Sequence, residues 1–129
     1  MQEIAAKIKN KAGFAALRGA DEETVRSAEQ TLGVKFADDY RQYVLAYGAA
    51  SFEGHELTGV CPVPRLNVVD VTKEERSFAD SIPLNWYVIE QTHMDGIAIW
   101  QTQSGEIYSS APEHKPLKIF NSLCDYIAN

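Results

Sequence analysis

The sequence has 129 residues, of which 45% are hydrophobic and 23% charged, and its net charge is −6. This is the length and balance of a single globular domain over 1–129, which excludes a disordered chain, and no apolar stretch is long enough to span a membrane. The two cysteines are far apart, which excludes a disulfide framework, and the N-terminus lacks the apolar core of a secretory signal, so we expect a cytoplasmic protein.

The first half of the chain is predicted to be helical. Apolar residues at helical spacing over 4–12 predict a short amphipathic helix. Asp21 is placed to cap a second helix, which should end at Gly33. A third helix should begin at Asp38 or the next residue and end at Gly48. Its tyrosines repeat at helical spacing, and we expect them in the core: Tyr40, Tyr43 and Tyr47.

The middle of the chain has a less regular pattern. Glu56–Val60 is predicted as a short strand, and Asn67–Val71 as another strand or extended segment. Two prolines between them should interrupt any continuous element. Thr72 and Glu75 have the spacing of a capping box, which predicts a short helix over Lys73–Ala79.

The last third of the chain is predicted to be β-rich. Trp86–Thr92 is dense in aromatic and β-branched residues, and an Asp-Gly pair at 95–96 is a hairpin signal that leads into a partner strand, Ile97–Thr102. A third strand should follow over Glu106–Ser110, so we expect a three-stranded antiparallel meander. Ser122 is placed to cap a C-terminal helix. N-terminal helices, a central antiparallel meander and a C-terminal helix define an α+β fold.

The sequence lacks the common motifs that hold phosphates, zinc or an activated serine. His55, His93 and His114 share no ligand spacing, so we predict no metal site and no cofactor. Cys61 lies in an apolar run before a proline, without a helix N-terminus to lower its pKa. Acidic pairs occur where helices should start, and there they interact favourably with the helix dipole. We therefore predict no catalytic residue; the enzymatic alternative uses Cys61 and a histidine.

Charge is unevenly placed along the chain. Up to Ala20, four basic side chains stand against one acidic side chain, and from Asp21 onward 17 acidic side chains stand against 8 basic ones. The acidic part would repel nucleic acid, because nucleic acid is bound by neutralising its phosphates. It would attract a basic protein instead. We therefore expect a protein partner, and neither a nucleic acid nor a membrane.

The segment Val25–Tyr43, VRSAEQTLGVKFADDYRQY, resembles the SUKH superfamily, also called the Smi/Knr type. The shared pattern is a helix ending in Leu-Gly, a short hydrophobic step, and then Asp-Tyr at the start of a helix with aromatic and aliphatic residues. Two positions depart from this pattern: Ala37 stands where proline is usual, and Tyr47 where asparagine is common before the glycine. The family-like core covers 21–128, and 1–20 is expected to be an N-terminal helical segment.

The resemblance implies an α+β fold and a binding role. Most bacterial members look like immunity proteins, which neutralise a cognate polymorphic toxin that is often a nuclease or deaminase, and fungal relatives regulate cell-wall synthesis. No catalytic residue is common to the family, so none is carried over. Our leading hypothesis is an immunity protein that binds a toxin domain; the alternative is a regulatory or scaffold module without a toxin partner. The acidic residues expected at the interface are Glu53, Glu56, Asp70, Glu74, Glu75 and Asp95.

Overall fold

The computed structural model describes residues 3–79 and 81–128. Within these residues, five α-helices accompany a seven-stranded antiparallel sheet whose strand order follows the chain. The predicted α+β fold is confirmed. In chain order the elements are α1 (Glu3–Lys9), β1 (Ala15–Arg18), α2 (Glu22–Leu32), α3 (Asp38–Ala46), β2 (Tyr47–Phe52), β3 (His55–Leu57), a 3-10 turn (Pro64–Leu66), α4 (Val68–Arg76), β4 (Tyr87–Gln91), β5 (Ala98–Gln101), β6 (Ile107–Ser110), β7 (Leu117–Phe120) and α5 (Leu123–Ile127).

Both predicted ends of α2 are confirmed. The Asp21 carboxylate accepts a hydrogen bond from the Thr24 N–H at 2.8 Å. Hydrogen bonds from the side chain and then the backbone of Thr24 lower the pKa of Asp21. Gly33 has a φ of 71°, and its N–H donates to the carbonyl of Glu29 at 2.8 Å. A residue without a Cβ takes this left-handed conformation at little cost, so the helix ends here.

The end predicted for α3 is wrong by two residues. Tyr47 already has extended backbone, with φ −135° and ψ 132°, and it begins β2. Gly48 lies inside β2, where an added Cβ would be 2.4 Å from the carbonyl oxygen of Arg18 on β1. Gly48 therefore permits a close approach between distant segments, which no local pattern reveals. The three tyrosines expected in the core are buried or half-buried, two of them on α3 and the third on β2: Tyr40, Tyr43 and Tyr47.

The strand predicted over Asn67–Val71 is wrong, because these residues begin α4. The Asn67 side chain caps the helix by accepting a hydrogen bond from the Val69 N–H at 2.8 Å. Val68, Val71 and Thr72 are buried at helical spacing. The β-branched residues that favoured a strand therefore form the buried face of a helix. Thr72 is not a cap: its hydroxyl accepts a hydrogen bond from the Val88 N–H of β4 at 3.0 Å.

The predicted three-stranded meander is confirmed as β4, β5 and β6, and the sheet extends beyond it on both sides. The segment before α2, expected to be helical, contains β1, and Leu117–Phe120 forms β7. The sequence of β1, Ala-Ala-Leu-Arg, has no alternation of apolar and polar residues, and all four residues are exposed. Its position depends on pairing with distant residues, such as Ala15 with Ser51.

Helices pack against both faces of the sheet. Side chains alternate between the faces along a strand, and one set, including Tyr87 and Ile99, packs in a core with residues of α1, α2, α3 and α5. The other set includes Val88 and Trp100, which cluster with Val71 of α4. The helix α4 thus covers the middle strands on the face opposite to the other helices, and its C-terminal turn lies near one end of the sheet.

Candidate functional site

Three chain reversals meet at one end of the sheet. In a meander, alternate turns lie at the same end, which here holds the β2–β3, β4–β5 and β6–β7 connections. The helix α4 runs alongside β4, because Thr72 bonds to Val88 while Glu75 bonds to Gln91, one turn further along the helix. Its C-terminal turn therefore reaches the same end. We call this surface the turn end; it comprises 53–56, 74–78, 92–97 and 111–116.

The turn end concentrates unusual backbone. Among the described residues, the non-glycine residues with positive φ are Glu53 (49°), His93 (60°), Asp95 (55°) and Glu113 (65°). All four lie in the three connections of the turn end. A left-handed conformation costs a residue with a Cβ about 1 kcal/mol, and such strain tends to cluster at functional surfaces. The distribution of strain therefore marks this end of the sheet as the candidate site.

Four of the six acids expected at an interface lie in the turns or the last turn of α4. Glu53 is in the β2–β3 turn and Asp95 in the β4–β5 turn. Glu74 and Glu75 both accept hydrogen bonds from the Gln91 amide, at 3.3 Å and 2.8 Å. One side chain from β4 thus holds two neighbouring carboxylates in place.

The remaining two acids differ in position. Glu56 lies on β3 and forms an ion pair with Arg65 at 2.7 Å. Asp70 is exposed in the first turn of α4, so the structure places it away from the turn end, near the opposite end of the helix. The structure therefore brings five of the six predicted residues to one surface and leaves Asp70 apart.

The acids of the turn end differ in how far nearby cations compensate them. Glu53 is 3.9 Å from the Lys11 ammonium, and Glu56 is paired with Arg65. Within 3–79 and 81–128, no lysine, arginine or histidine lies within 4 Å of the carboxylates of four others. These uncompensated acids are Glu74, Glu75, Asp95 and Glu113. Their negative charge is available to a partner.

A groove of about 650 Å³ separates the β2–β3 hairpin from the end of β4. Its lining includes three carboxylates and two histidines, and none of its lining residues is lysine or arginine. The titratable residues of this lining are Glu53, His55, Glu56, Glu90 and His93. The groove therefore adds a carboxylate-lined recess to the turn end, in which Glu53 and Glu56 are already paired with Lys11 and Arg65.

The sequence reasoning missed Glu90, which is 5% exposed. One carboxylate oxygen accepts a hydrogen bond from the Tyr126 hydroxyl of α5 and lies 3.0 Å from Nδ1 of His55, while the other accepts the Glu56 N–H at 2.9 Å. Burial and then the nearby Glu90 carboxylate raise the pKa of Tyr126. Glu90 thus connects β4, α5 and the β2–β3 hairpin.

The sequence holds one signal that could have found Glu90, and the tertiary structure holds one feature that concealed its role. It stands in an apolar strand, Trp-Tyr-Val-Ile-Glu-Gln, where a carboxylate is itself a signal of a specific buried role. The register of β4 also shifts between Val88 and Glu90, so that Glu90 lies opposite Ile99 on the core side of the sheet. Such an irregularity changes which face of the sheet the following residue occupies, and no local pattern reveals it.

A second groove, of about 390 Å³, lies between the end of α4 and the β6–β7 connection. Phe78 and Glu75 form one side, and Pro112 and Glu113 the other. Gly96 lies between these sides: a Cβ there would be 2.9 Å from Cγ of Pro112. The β4–β5 turn and the β6–β7 connection are therefore in close contact beside this groove.

Two observations concern possible metal ligands and the Cys61 thiol. Among residues 3–79 and 81–128, no group of three or more His, Cys, Asp and Glu side chains is arranged to hold a metal ion. Burial raises the pKa of the half-buried Cys61 thiol, which donates a hydrogen bond to the Val63 carbonyl at 3.7 Å. A raised pKa reduces the thiolate population, opposite to what a nucleophilic cysteine requires. In the described part of the chain, no helix has the length and apolar character needed to cross a membrane.

A protein-family model described as SMI1-KNR4 cell-wall, SUKH_5, matches residues 1–129. The chain belongs to the SUKH family. A solved structure, that of a protein from Pseudomonas syringae pv. tomato, has the same fold as this SUKH chain: the TM-score is 0.76 and the identity 13%, with 100% of this chain and 96% of the other covered. No curated protein matches the sequence.

The segment that carries the SUKH resemblance forms the α2–α3 corner. Glu29 of α2 accepts the Phe36 N–H at 2.8 Å and pairs with Arg41 of α3 at 2.6 Å. Ala37, which replaces the usual proline, donates its N–H to the Tyr87 hydroxyl at 2.8 Å. Proline has no N–H to donate, so this hydrogen bond forms only because position 37 is not the usual proline. This SUKH segment thus shapes the core and lies apart from the turn end.

Proposed function

We propose that this protein is an immunity protein that binds and neutralises a cognate bacterial toxin domain through the turn end. Membership of the SUKH family over the whole chain carries the proposal, because bacterial members of that family resemble immunity proteins. The protein meets its partner in the cytoplasm and acts by binding alone. A nuclease or a deaminase is the kind of toxin that it neutralises.

The charges of the turn end support a basic partner. Glu74, Glu75 and Asp95 carry negative charge that no nearby cation compensates in the described residues. Two further acids, Glu53 and Glu56, border the groove and are paired with Lys11 and Arg65. Nucleases are commonly basic, since they bind phosphates. Complementary charge accelerates the encounter with such a partner and orients it.

An enzymatic role has weaker support. The raised pKa of Cys61 does not suit a nucleophile, and the family contributes no catalytic residue that could be placed on this chain. If the protein acted as a thiol enzyme, Cys61→Ala would abolish protection of cells against the toxin. We expect the Cys61→Ala protein to protect as well as the wild type.

The proposal is tested by co-expression with the C-terminal domain encoded by the neighbouring gene. An immunity protein should restore growth of cells that make this domain and should purify with it as a stable complex. Growth that is not restored, together with no complex, would refute the proposal and favour the regulatory or scaffold alternative. An isolated gene without a toxin-encoding neighbour would favour the same alternative.

The position of the surface is tested by removing three of its charges. The triple variant Glu74→Gln, Glu75→Gln, Asp95→Asn should lower the association rate about tenfold at low ionic strength, and the difference should shrink as salt is added. Stopped-flow or surface-based kinetics measure this rate.

The matched control removes three exposed acids elsewhere: Glu23→Gln, Asp38→Asn, Asp70→Asn. These side chains are exposed and have no cationic partner within 4 Å among the described residues. The control changes the net charge by the same amount, so a similar loss in rate would show that total charge, and not the turn end, guides association. We expect the control to reduce the rate much less.

A further inference from the structure

The geometry points to Phe78 and the adjoining 390 Å³ groove as the apolar anchor point of the turn end. The occupant that we infer is a segment of a basic protein in which an apolar side chain is flanked by lysine or arginine. The inference rests on the proposed function and specifies which part of the turn end supplies the affinity.

Phe78 is the most exposed large hydrophobic residue in the described chain, with 77% of its surface accessible. The other four phenylalanines, in contrast, are buried or half-buried: Phe14, Phe36, Phe52 and Phe120. An exposed aromatic side chain loses stabilisation that burial would provide. Aromatic residues are enriched at protein interfaces and among the residues that dominate binding energy.

The backbone that carries Phe78 is held by several hydrogen bonds. The Phe78 N–H donates to the Glu75 carbonyl at 3.0 Å, and the Ser77 hydroxyl donates to the Glu74 carbonyl at 2.6 Å. The Arg76 guanidinium donates to the Leu84 carbonyl at 2.6 Å and so joins the end of α4 to the segment that follows. Because the backbone is already ordered, a partner that covers Phe78 pays little conformational entropy.

The groove beside Phe78 gives a partner's side chain an apolar place to lie. Ala79 and Ile82 contribute from the segment after α4, and Ala111 and Pro112 from the β6–β7 connection. An apolar side chain in this groove would contact these residues and the Phe78 ring together. Removing this apolar surface from water favours binding, as expected of a residue that anchors an interface.

The charged residues around the groove indicate which residues should flank the partner's apolar side chain. Glu75 and Glu113 line opposite sides, and Asp95 precedes Gly96 in the adjacent turn. These carboxylates have no ion-pair partner within 4 Å in the described residues. His114 and Lys115 of the lining follow Glu113 in the chain, so cations of the partner are best placed beside Glu75 and Asp95.

The same charges argue against a second copy of this chain as the occupant. In a two-fold dimer, the same patch meets itself. Glu75, Asp95 and Glu113 would then face the like charges of the other copy, which is unfavourable when the acids are desolvated. A basic partner removes this repulsion, and for that reason the groove fits a basic segment.

The test compares Phe78→Ala with Leu84→Ala in binding to the purified C-terminal domain encoded by the neighbouring gene. Leu84 is similarly exposed, at 72%, and lies outside the lining of the groove. Phe78→Ala should weaken binding by about 30-fold or more, mainly through faster dissociation, and Leu84→Ala by less than about threefold. Both side chains are exposed, so both variants should unfold at the wild-type temperature.

The outcomes separate this inference from the proposed function. If the wild type binds the domain and Phe78→Ala binds equally well, the anchor is refuted while the proposed function stands. If the wild type does not bind, the proposed function is refuted, and the anchor with it. A concentration-dependent dimer of the wild type that Phe78→Ala converts to a monomer would assign the groove to a second copy and would also overturn the inference.

Discussion

The substitution Tyr87→Phe removes one hydroxyl from the core, and the structure predicts an unusually large loss of stability. This hydroxyl accepts the Ala37 N–H and donates to Oε1 of Gln101, both at 2.8 Å. Tyr40→Phe is the matched control. Its hydroxyl lies 2.9 Å from Oγ1 of Thr58, whose own hydrogen is donated to a backbone carbonyl. Both tyrosines have no exposed surface, so the two variants differ mainly in the groups that are left without a partner.

The magnitudes follow from this difference. Tyr40→Phe removes one hydrogen bond and leaves no donor without a partner, which costs about 1 kcal/mol of unfolding free energy. Tyr87→Phe removes two hydrogen bonds and leaves the N–H of Ala37 buried without an acceptor. An orphaned donor of this kind adds about 1–3 kcal/mol to the roughly 1 kcal/mol lost with each hydrogen bond, so we expect a total loss of about 3–5 kcal/mol. The melting temperature should fall by about 4 °C for each kcal/mol.

Urea unfolding followed by tryptophan fluorescence, to which the buried Trp100 contributes, measures both losses. The dependence of the unfolding free energy on urea should stay constant, so that a lower midpoint reports lower stability. If Tyr40→Phe proved as costly as Tyr87→Phe, the reasoning from the orphaned Ala37 N–H would be wrong. Ala37→Pro removes the Ala37 N–H itself, so the Tyr87 hydroxyl no longer accepts this hydrogen bond. It should also destabilise the protein, although the Ala37 φ of −63° suits proline.

Two further predictions concern carboxylates. Glu90→Ala should lower the unfolding free energy by about 3–4 kcal/mol, because three donors lose a shared buried acceptor. The backbone amide hydrogen of Glu56 should then exchange with solvent much faster. Unchanged exchange would show that Glu90 does not hold the β2–β3 hairpin. The pKa of Asp21 is lower in the folded state than its ordinary value of 3.8. The ionised Asp21 therefore stabilises the fold at pH values above 3.8, and this stabilisation is lost as the pH falls through the pKa of the folded state. The stability difference between wild type and Asp21→Ala should therefore shrink in acid, whereas the difference between Asp21→Asn and Asp21→Ala should not.

Local signals predicted several elements because their causes are local. The capping carboxylate of Asp21 and the left-handed Gly33 act within one helical turn, and both ends of α2 were confirmed. The strands of the central meander are confirmed for the same reason, since aromatic and β-branched residues and an Asp-Gly pair act between neighbours in sequence. Where the conformation of a residue depends only on its neighbours in sequence, the sequence pattern is enough to predict it.

Elements were misassigned where a distant segment decides the conformation. Asn67–Val71 looks extended, yet the burial of Val68 and Val71 makes it the start of α4. Gly48 looks like the end of a helix, yet it lies in β2 because β1 approaches it. In both cases tertiary contacts outweigh a local preference worth only a few tenths of a kcal/mol to about 1 kcal/mol.

The amino-acid sequence by itself determined the α+β class, the family resemblance and the acidic character of the chain after Asp21, since these depend on residue identity and local spacing. Only the tertiary structure decided which acids act together. It brings Glu74, Glu75 and Asp95 to one end of the sheet, leaves Asp70 apart and exposes Phe78 between them and the β6–β7 connection. The physical reason is that a surface is assembled by strand pairing and helix packing between residues that are distant in sequence.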